Sequence, residues 1–175
     1  LQSYVKLYFQ DVLENTPASL SIGRMCFDSA DRRLLSRNRN RNVINNFDGI
    51  RMRVGDENSP YESDIFALRF VEPNVRRFDH SNPQSTLYGT TFYLRGLDPH
   101  HTIEPFWLWL DQRTVNDPTL RKNLHSVGFH IFGEFGDKKA WDYDTSFTYQ
   151  KGSVRSISHT AFAAHAEAGL SLIHI

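Results

Sequence analysis

Almost every stretch of this chain repeats with a period of two. Apolar and polar residues alternate in runs of about ten, bounded by Gly, Pro, Asn and Asp, and that pattern fits a β-strand with two unlike faces. The single helix-like composition is the Ala-rich stretch from Ser158 to Ala168, and it carries the alternation as well. Nine strands are expected, at 4–9, 18–27, 42–54, 61–71, 86–95, 102–113, 123–135, 140–150 and 157–169. The fold class that follows is all-β, an antiparallel up-and-down meander. About ten residues is also the length that lets a tilted strand cross a bilayer.

The connections alternate too. By these boundaries each odd-numbered connection is shorter than the one after it. Short turns at one end and long loops at the other mark an outer-membrane barrel, and a soluble meander has no reason to show them. The short connections carry turn residues: Glu14-Asn15-Thr16-Pro17, Gly55-Asp56-Glu57-Asn58, Leu97-Asp98-Pro99 and Gly136-Asp137-Lys138. The long ones are polar: Asp28–Arg41, Glu72–Gln84 and Thr114–Lys122.

Parity along the strands gives two faces. An apolar, lipid-facing band is expected from Ile50/Met52, Phe66/Leu68/Phe70, Phe106/Leu108/Leu110 and Val127/Phe129/Ile131, so that a charge at Leu68 or Leu108 would meet lipid. The opposite face carries Arg51, Arg53, Ala67, Arg69, Trp107, Trp109, Asp111, Arg113, His130, Glu134, Asp142 and Asp144. Asp48, Asp64 and Arg24 fall on the lipid side and resist the pattern, each near a strand end or beside a glycine where a bulge resets register. Aromatics at strand ends, Tyr61, Phe70, Trp141 and Tyr149, sit where interface girdles belong.

Charge narrows the function. Lys+Arg and Asp+Glu are both 20, so there is no basic surplus for nucleic acid, which is excluded as a partner. Of the 20 cations 15 are Arg, the residue suited to bidentate contacts with carboxylate and phosphate. One cysteine, Cys26, leaves no internal disulfide and no Cys-based zinc cluster. There is no HExxH, no His-x-His pair, no Gly-x-Ser-x-Gly, no P-loop and no dinucleotide fingerprint, so no cofactor, metal or catalytic residue is expected. His130 and Glu134 lie roughly 13 Å apart along a strand, too far to share a metal. Asp142 and Asp144, roughly 7 Å apart, suit a glycosidase pair or a wet wall equally well.

From Gly23-Arg24 onward the order of motifs resembles a known family. A long polar loop leads to Asn46-Phe47-Asp48-Gly49-Ile50-Arg51, then to a strand ending Phe66-Ala67-Leu68-Arg69-Phe70-Val71. Leu108-Trp109-Leu110-Asp111-Gln112-Arg113, His125-Ser126-Val127-Gly128, Trp141-Asp142-Tyr143-Asp144 and Tyr149-Gln150-Lys151-Gly152 follow. This series is similar to the alginate export family of bacterial outer-membrane porins. The resemblance implies about nine strands of an 18-stranded barrel, an outer-membrane location, and a narrow pore passing an anionic uronate polysaccharide. It implies no enzymatic activity. Arg24 matches the arginine of the family's Gly-Arg pair, and Asp111 an acidic position closing a later strand. Cys26 and Phe27 depart from the polar residues that commonly follow Gly-Arg.

Together, parity and resemblance nominate a pore lining of Lys6, Arg24, Arg51, Arg53, Arg69, Arg95 and Arg113, with Asp111, Glu134, Asp142, Asp144 and Glu167 as its acids. Bases come mostly from early strands and acids from late ones, which sets a transverse field. Expected partners are an anionic polysaccharide or other anionic solute, outer-membrane lipid and periplasmic export partners. The run Arg37-Asn38-Arg39-Asn40-Arg41, with Arg32 and Arg33, reads as a solvated loop or as a collector of anions at the mouth. Leu1 is not a start residue, and the chain opens and closes inside alternating segments, so it reads as one partial barrel domain over 1–175 of a longer protein. Residues 170–175 fit a strand loosely or are foreign sequence at a truncation. The competing class is a soluble carbohydrate-binding or carbohydrate-active β-sandwich with Trp107 and Trp109 as sugar platform. That fold must bury its apolar face under a second sheet, whereas a porin leaves it to lipid.

Overall fold

The computed structural model describes residues 2–13, 16–29, 34–37, 45–74, 76, 78–114, 120–136 and 141–170. Arg32, Arg33, Arg39, Arg41, most of the Gly136-Asp137-Lys138 turn and the tail beyond Leu170 therefore lie outside the described residues. Among the described residues nine strands form: β1 Ser3–Leu13, β2 Thr16–Met25, β3 Phe47–Val54, β4 Tyr61–Glu72, β5 His80–Asp98, β6 His101–Gln112, β7 Lys122–Phe135, β8 Trp141–Val154 and β9 Ile157–Leu170. They make one open antiparallel sheet in chain order, each paired to its neighbours and β1 and β9 to one neighbour only. The all-β meander expected from the alternation is what forms, and Ser158–Ala168 is strand.

Connections at 26–46, 73–79 and 113–121 each exceed the one before, as expected, but the last pair reverses. The β8–β9 link is only residues 155–156, against 136–140 for β7–β8. Lys151-Gly152-Ser153 reads as a turn in sequence, yet Gly152 sits inside β8, where a Cβ would collide with the carbonyl of Asn123. The chain reverses instead at Arg155 and Ser156, both with positive φ (53° and 62°), a two-residue turn whose twist suits a hairpin.

Register assigns the faces strand by strand. Arg51 pairs with Phe66, Arg53 with Asp64, Gly49 with Leu68; Phe66 pairs with Gly89, and Gly89 with Leu108. Directly opposed residues in an antiparallel ladder share a face. Arg51 and Arg53 therefore lie with Phe66, Leu68, Phe106, Leu108 and Leu110, and the expected outward placing of these apolar residues is corrected. The true outward residues of the central strands are Ile65 and Ala67, then Tyr88 and Phe92, then Ile103, Trp107 and Trp109. For β3, β7 and β8 the expected faces stand: Ile50, Met52, Val127, Phe129, Ile131, Phe147 and Tyr149 point outward.

A segment of the β2–β3 connection explains why the inward face tolerates so much apolar surface. Phe27 packs edge-on against Phe66 at 5.4 Å between centroids and against Phe47 at 6.1 Å. The Ser29 hydroxyl meets that of Thr91 on β5, and Ser29 bridges back to Leu35. Leu34, beside Leu35, shares a hollow with Ser146, Thr148, Ala161 and His165 of β8 and β9. One short segment thus packs on β3, β4 and β5 and borders a hollow on β8 and β9, strands that a flat sheet would spread over roughly 29 Å at its usual spacing. The sheet must curl around it. Met25, Phe27, Leu35, Phe47, Phe66, Leu68, Leu87, Phe106 and Leu108 form one buried cluster in that concavity.

Gly89 is the tight point of the cluster, since a Cβ there would run into the Phe66 ring and a Leu108 methyl. Gly89→Val should therefore cost about 1–3 kcal/mol by overpacking. Thr90, one residue on and facing outward, has a hydroxyl enclosed without a hydrogen-bond partner. Thr90→Val should be neutral or stabilising. Denaturant midpoints of the detergent-folded protein separate the two substitutions.

Candidate functional site: a charged wall on the concave face

The concave face is layered. Toward the long-loop end lies the apolar cluster under the inward segment. Toward the short-turn end the same strands carry charge. Asp64 on β4, with no exposed surface, accepts paired hydrogen bonds from two arginines of β3: Arg51 Nε at 3.0 Å and Nη2 at 2.6 Å, and Arg53 Nε at 3.0 Å and Nη2 at 2.8 Å. Arg53 Nη1 also reaches Glu62 at 3.0 Å, and Glu62 takes Arg95 Nη2 at 3.0 Å from the other side. Arg51 lies flat over the Phe27 ring at 4.1 Å. Three guanidinium groups and two carboxylates make one buried network with one positive charge in excess. Charge-assisted bidentate contacts of this kind hold each arginine in a fixed plane.

Further round the face the sign reverses. His130 bridges two carboxylates, Nδ1 to Glu104 at 3.1 Å and Nε2 to Asp144 at 2.9 Å. His165 stands 3.9 Å from both Asp144 and Glu167. Glu134, Asp142, Asp144 and Glu167 line a hollow of about 730 Å³ with His100, Phe132 and Tyr143. Cross-strand pairing accounts for the series, since Glu62 faces Tyr93, Glu104 faces His130, His130 faces Ser146 and Ser146 faces His165. Among the described residues no cluster of His, Cys, Asp and Glu suits a metal ion.

The nominated residues divide between the faces. Lys6, Arg51, Arg53, Arg95, Glu134 and Asp142 are on the concave side, with Asp144 and Glu167. Arg24, Arg69, Asp111 and Arg113 are not. Register puts Arg24 opposite Asp48 and Asp48 opposite Arg69, on the outward face at the long-loop end. Arg24 there makes a two-bond pair with Asp48, 2.7 Å at each contact, and Ser81 also donates to Asp48. Of the three residues that resisted the parity, Arg24 and Asp48 are thus outward in the structure and neutralise one another, while Asp64 is inward. Asp111 lies opposite Thr86 and Asn123, also outward, and binds Arg113 and Arg121. Asp64, Glu62, Glu104 and the role of His130 were not anticipated. The β3–β4 hairpin held the signal, because centring it on the Gly55–Pro60 turn puts Arg53 across from Glu62, and the register that forms, two residues further along β4, keeps the same face and puts it across from Asp64.

The outward face is equally ordered. Tyr88 stacks on Trp109 (4.8 Å), Trp109 on His125 (5.5 Å) and His125 on Trp107 (5.9 Å) near the long-loop end. Phe135 stacks on Trp141 (6.2 Å), beside Tyr143, near the short-turn end. From His125 to Phe135 on β7 is roughly 33 Å along the strand, and roughly 25 Å along the normal after a tilt of about 40°. Val127, Phe129 and Ile131 fill the interval. Two aromatic girdles bounding an apolar band of that height match the outer wall of a membrane barrel.

The family model for alginate export matches residues 1–175. The chain belongs to the alginate export family. No curated protein and no solved structure matches it. The family is one of outer-membrane transport porins, which agrees with a single open antiparallel sheet.

Removing the shared carboxylate tests the charged network. Asp64→Ala leaves two guanidinium groups largely enclosed and short of a partner, and should cost about 3–5 kcal/mol. Asp144→Ala, at the half-exposed end of its pair with His130, should cost far less. Unfolding of the two variants in detergent checks the difference.

Proposed function

We propose that this chain forms part of an outer-membrane channel for an anionic, alginate-like uronate polysaccharide or oligosaccharide, with the concave face as pore wall. The observation that carries this reading is the Arg51–Arg53–Arg95 network. Its arginines are aimed by Asp64 and Glu62, retain an excess positive charge and stay partly accessible, with 17% to 28% of each side chain exposed. Uronate carboxylates take paired hydrogen bonds from guanidinium, and conduction requires each such contact to release. Arginines already committed to carboxylates meet that need, because an incoming anion competes with a resident one.

Lys6, Arg51, Arg53 and Arg95 stand against Glu62 and Asp64 on the early strands. The late strands offer Glu104, Glu134, Asp142, Asp144 and Glu167. The polymer would run along the first wall and be repelled by the second. Arg24, Arg69, Asp111 and Arg113 keep a place in this reading only at the rim. Outer-membrane lipid would cover the outward band, and periplasmic export partners would meet the short-turn end. Two packed sheets, which a soluble sandwich needs, are not what the described strands form.

Conductance across planar bilayers tests the pore. In the full-length protein, Arg95→Gln and Lys6→Gln should lower anion-over-cation preference, and Arg24→Gln should leave it unchanged. Unmoved selectivity in the first two would refute the arginine-lined pore. The membrane reading has its own test. Phe129→Arg should cost about 2–4 kcal/mol near midplane, while Gln150→Arg on the concave face should cost much less.

A further inference from the structure

We propose that the outward rim formed by Arg113, Arg121 and Arg155 binds the phosphate of an outer-leaflet lipid headgroup. The proposal rests on the membrane reading above and adds a site to it.

Asp111 organises the rim. Its two oxygens are divided between two arginines: Oδ2 takes Arg113 Nε at 3.1 Å and Nη2 at 2.9 Å, and Oδ1 takes Arg121 Nε at 3.3 Å and Nη2 at 3.2 Å. Asp111 is itself covered, at 13% side-chain exposure, whereas Arg113 and Arg121 are 67% and 49% exposed. Among the described residues Asp111 is the carboxylate these two guanidinium groups share, and one carboxylate cannot neutralise both, so the pair presents a net positive charge to the outside. Arg155, exposed in the β8–β9 turn, adjoins them, because its amide donates to the Arg121 carbonyl at 2.9 Å. The Arg24–Asp48 pair at the same end of the sheet gives the contrast. It is one-to-one, its arginine is 21% exposed, and Nη1 is spent on the Asp79 carbonyl. Charge therefore concentrates at one sector of the rim.

Depth selects the occupant. The Tyr88–Trp109–His125 stack marks the edge of the hydrocarbon. Asp111 is two residues beyond Trp109, roughly 7 Å along the strand and roughly 5 Å along the normal. By holding both guanidinium groups, Asp111 draws them back to that level. The headgroup layer occupies about the first 5–7 Å outside the hydrocarbon. The cations thus lie level with lipid phosphates, above an aromatic shelf that acyl chains can cover. Guanidinium pairs suit a phosphate monoester, whose oxygens accept paired hydrogen bonds.

The test uses full-length protein in vesicles of phosphatidylcholine, with and without phosphatidic acid. Lipid retained after gentle detergent extraction is counted by native mass spectrometry. Wild-type protein should retain phosphatidic acid in preference to phosphatidylcholine, and Arg113→Gln or Arg121→Gln should each lower that preference about fivefold. Arg24→Gln should not change it. Equal retention by wild type and both rim variants, in protein whose heat-modifiable gel migration shows it inserted, overturns the proposal alone. Absence of insertion overturns it together with the membrane reading. Displacement of the lipid by millimolar inorganic phosphate would show a general anion site and overturn the lipid assignment.

Discussion

A carboxylate with no exposed surface, gripped by two arginines of the adjacent strand, is an expensive thing to bury alone and a strong constraint once paired. Asp64 can satisfy both Arg51 and Arg53 only in a register of β3 against β4 that keeps all three on one face. A slip by one residue would send Asp64 to the lipid side and bring Ile65 under Arg53. Every later strand inherits its facing from this pair, because antiparallel neighbours transmit parity across the ladder. Phe66 under Arg51 fixes Gly89, Gly89 fixes Leu108, and Leu108 fixes Ser126. The same register leaves Trp107, Trp109, Val127 and Phe129 pointing outward.

That inheritance creates a second requirement. Phe66, Leu68, Phe106 and Leu108 now lie where a barrel would hold water, and exposing them there would be costly. The inward segment of the β2–β3 connection answers it. Phe27 and Leu35 complete an apolar cluster, and Arg37, held by Asp28 at 2.9 Å, closes the segment. Phe27 serves both halves of the concave face, since it packs on Phe66 and also lies beneath the Arg51 guanidinium. Phe27 thus occupies a place where an aromatic ring is wanted. The segment narrows the face at one end and leaves the charged layer open at the other.

The meander, its order and most strand positions were legible in the sequence because period-two alternation is a local property. Facing was legible where one side of a strand is plainly polar, as in β8 with Asp142, Asp144, Ser146 and Gln150. It was illegible in β4 and β6, where both sides hold large apolar residues: Ile65 and Ala67 against Phe66 and Leu68, Trp107 and Trp109 against Phe106 and Leu108. Only pairing partners decide such strands, and pairing is non-local. The same blindness put Arg69, Asp111 and Arg113 in the pore, since arginine suits a lumen and a headgroup layer equally; Arg24, which parity placed outward, entered through the resemblance. The burial of Phe27 and Leu35 inside the curl has no periodic signature, and the Arg155-Ser156 turn lacks the Gly, Asn or Asp that a positive-φ hairpin turn favours.

Sorting the arginines by face separates two tasks that composition merges. Inside, each guanidinium meets a carboxylate buried more deeply than itself, as with Arg53 on Asp64 and Arg95 on Glu62. On the proposed reading the arginine's outer edge faces the pore while its charge is partly cancelled, which favours brief contacts with a passing anion over capture. Outside, Asp111 is outnumbered two to one among the described residues, and on the proposal above the rim keeps its charge for a lasting contact with a fixed anionic layer. The ratio of carboxylate to guanidinium, more than the number of arginines, therefore distinguishes a wall along which anions move from one at which they stay.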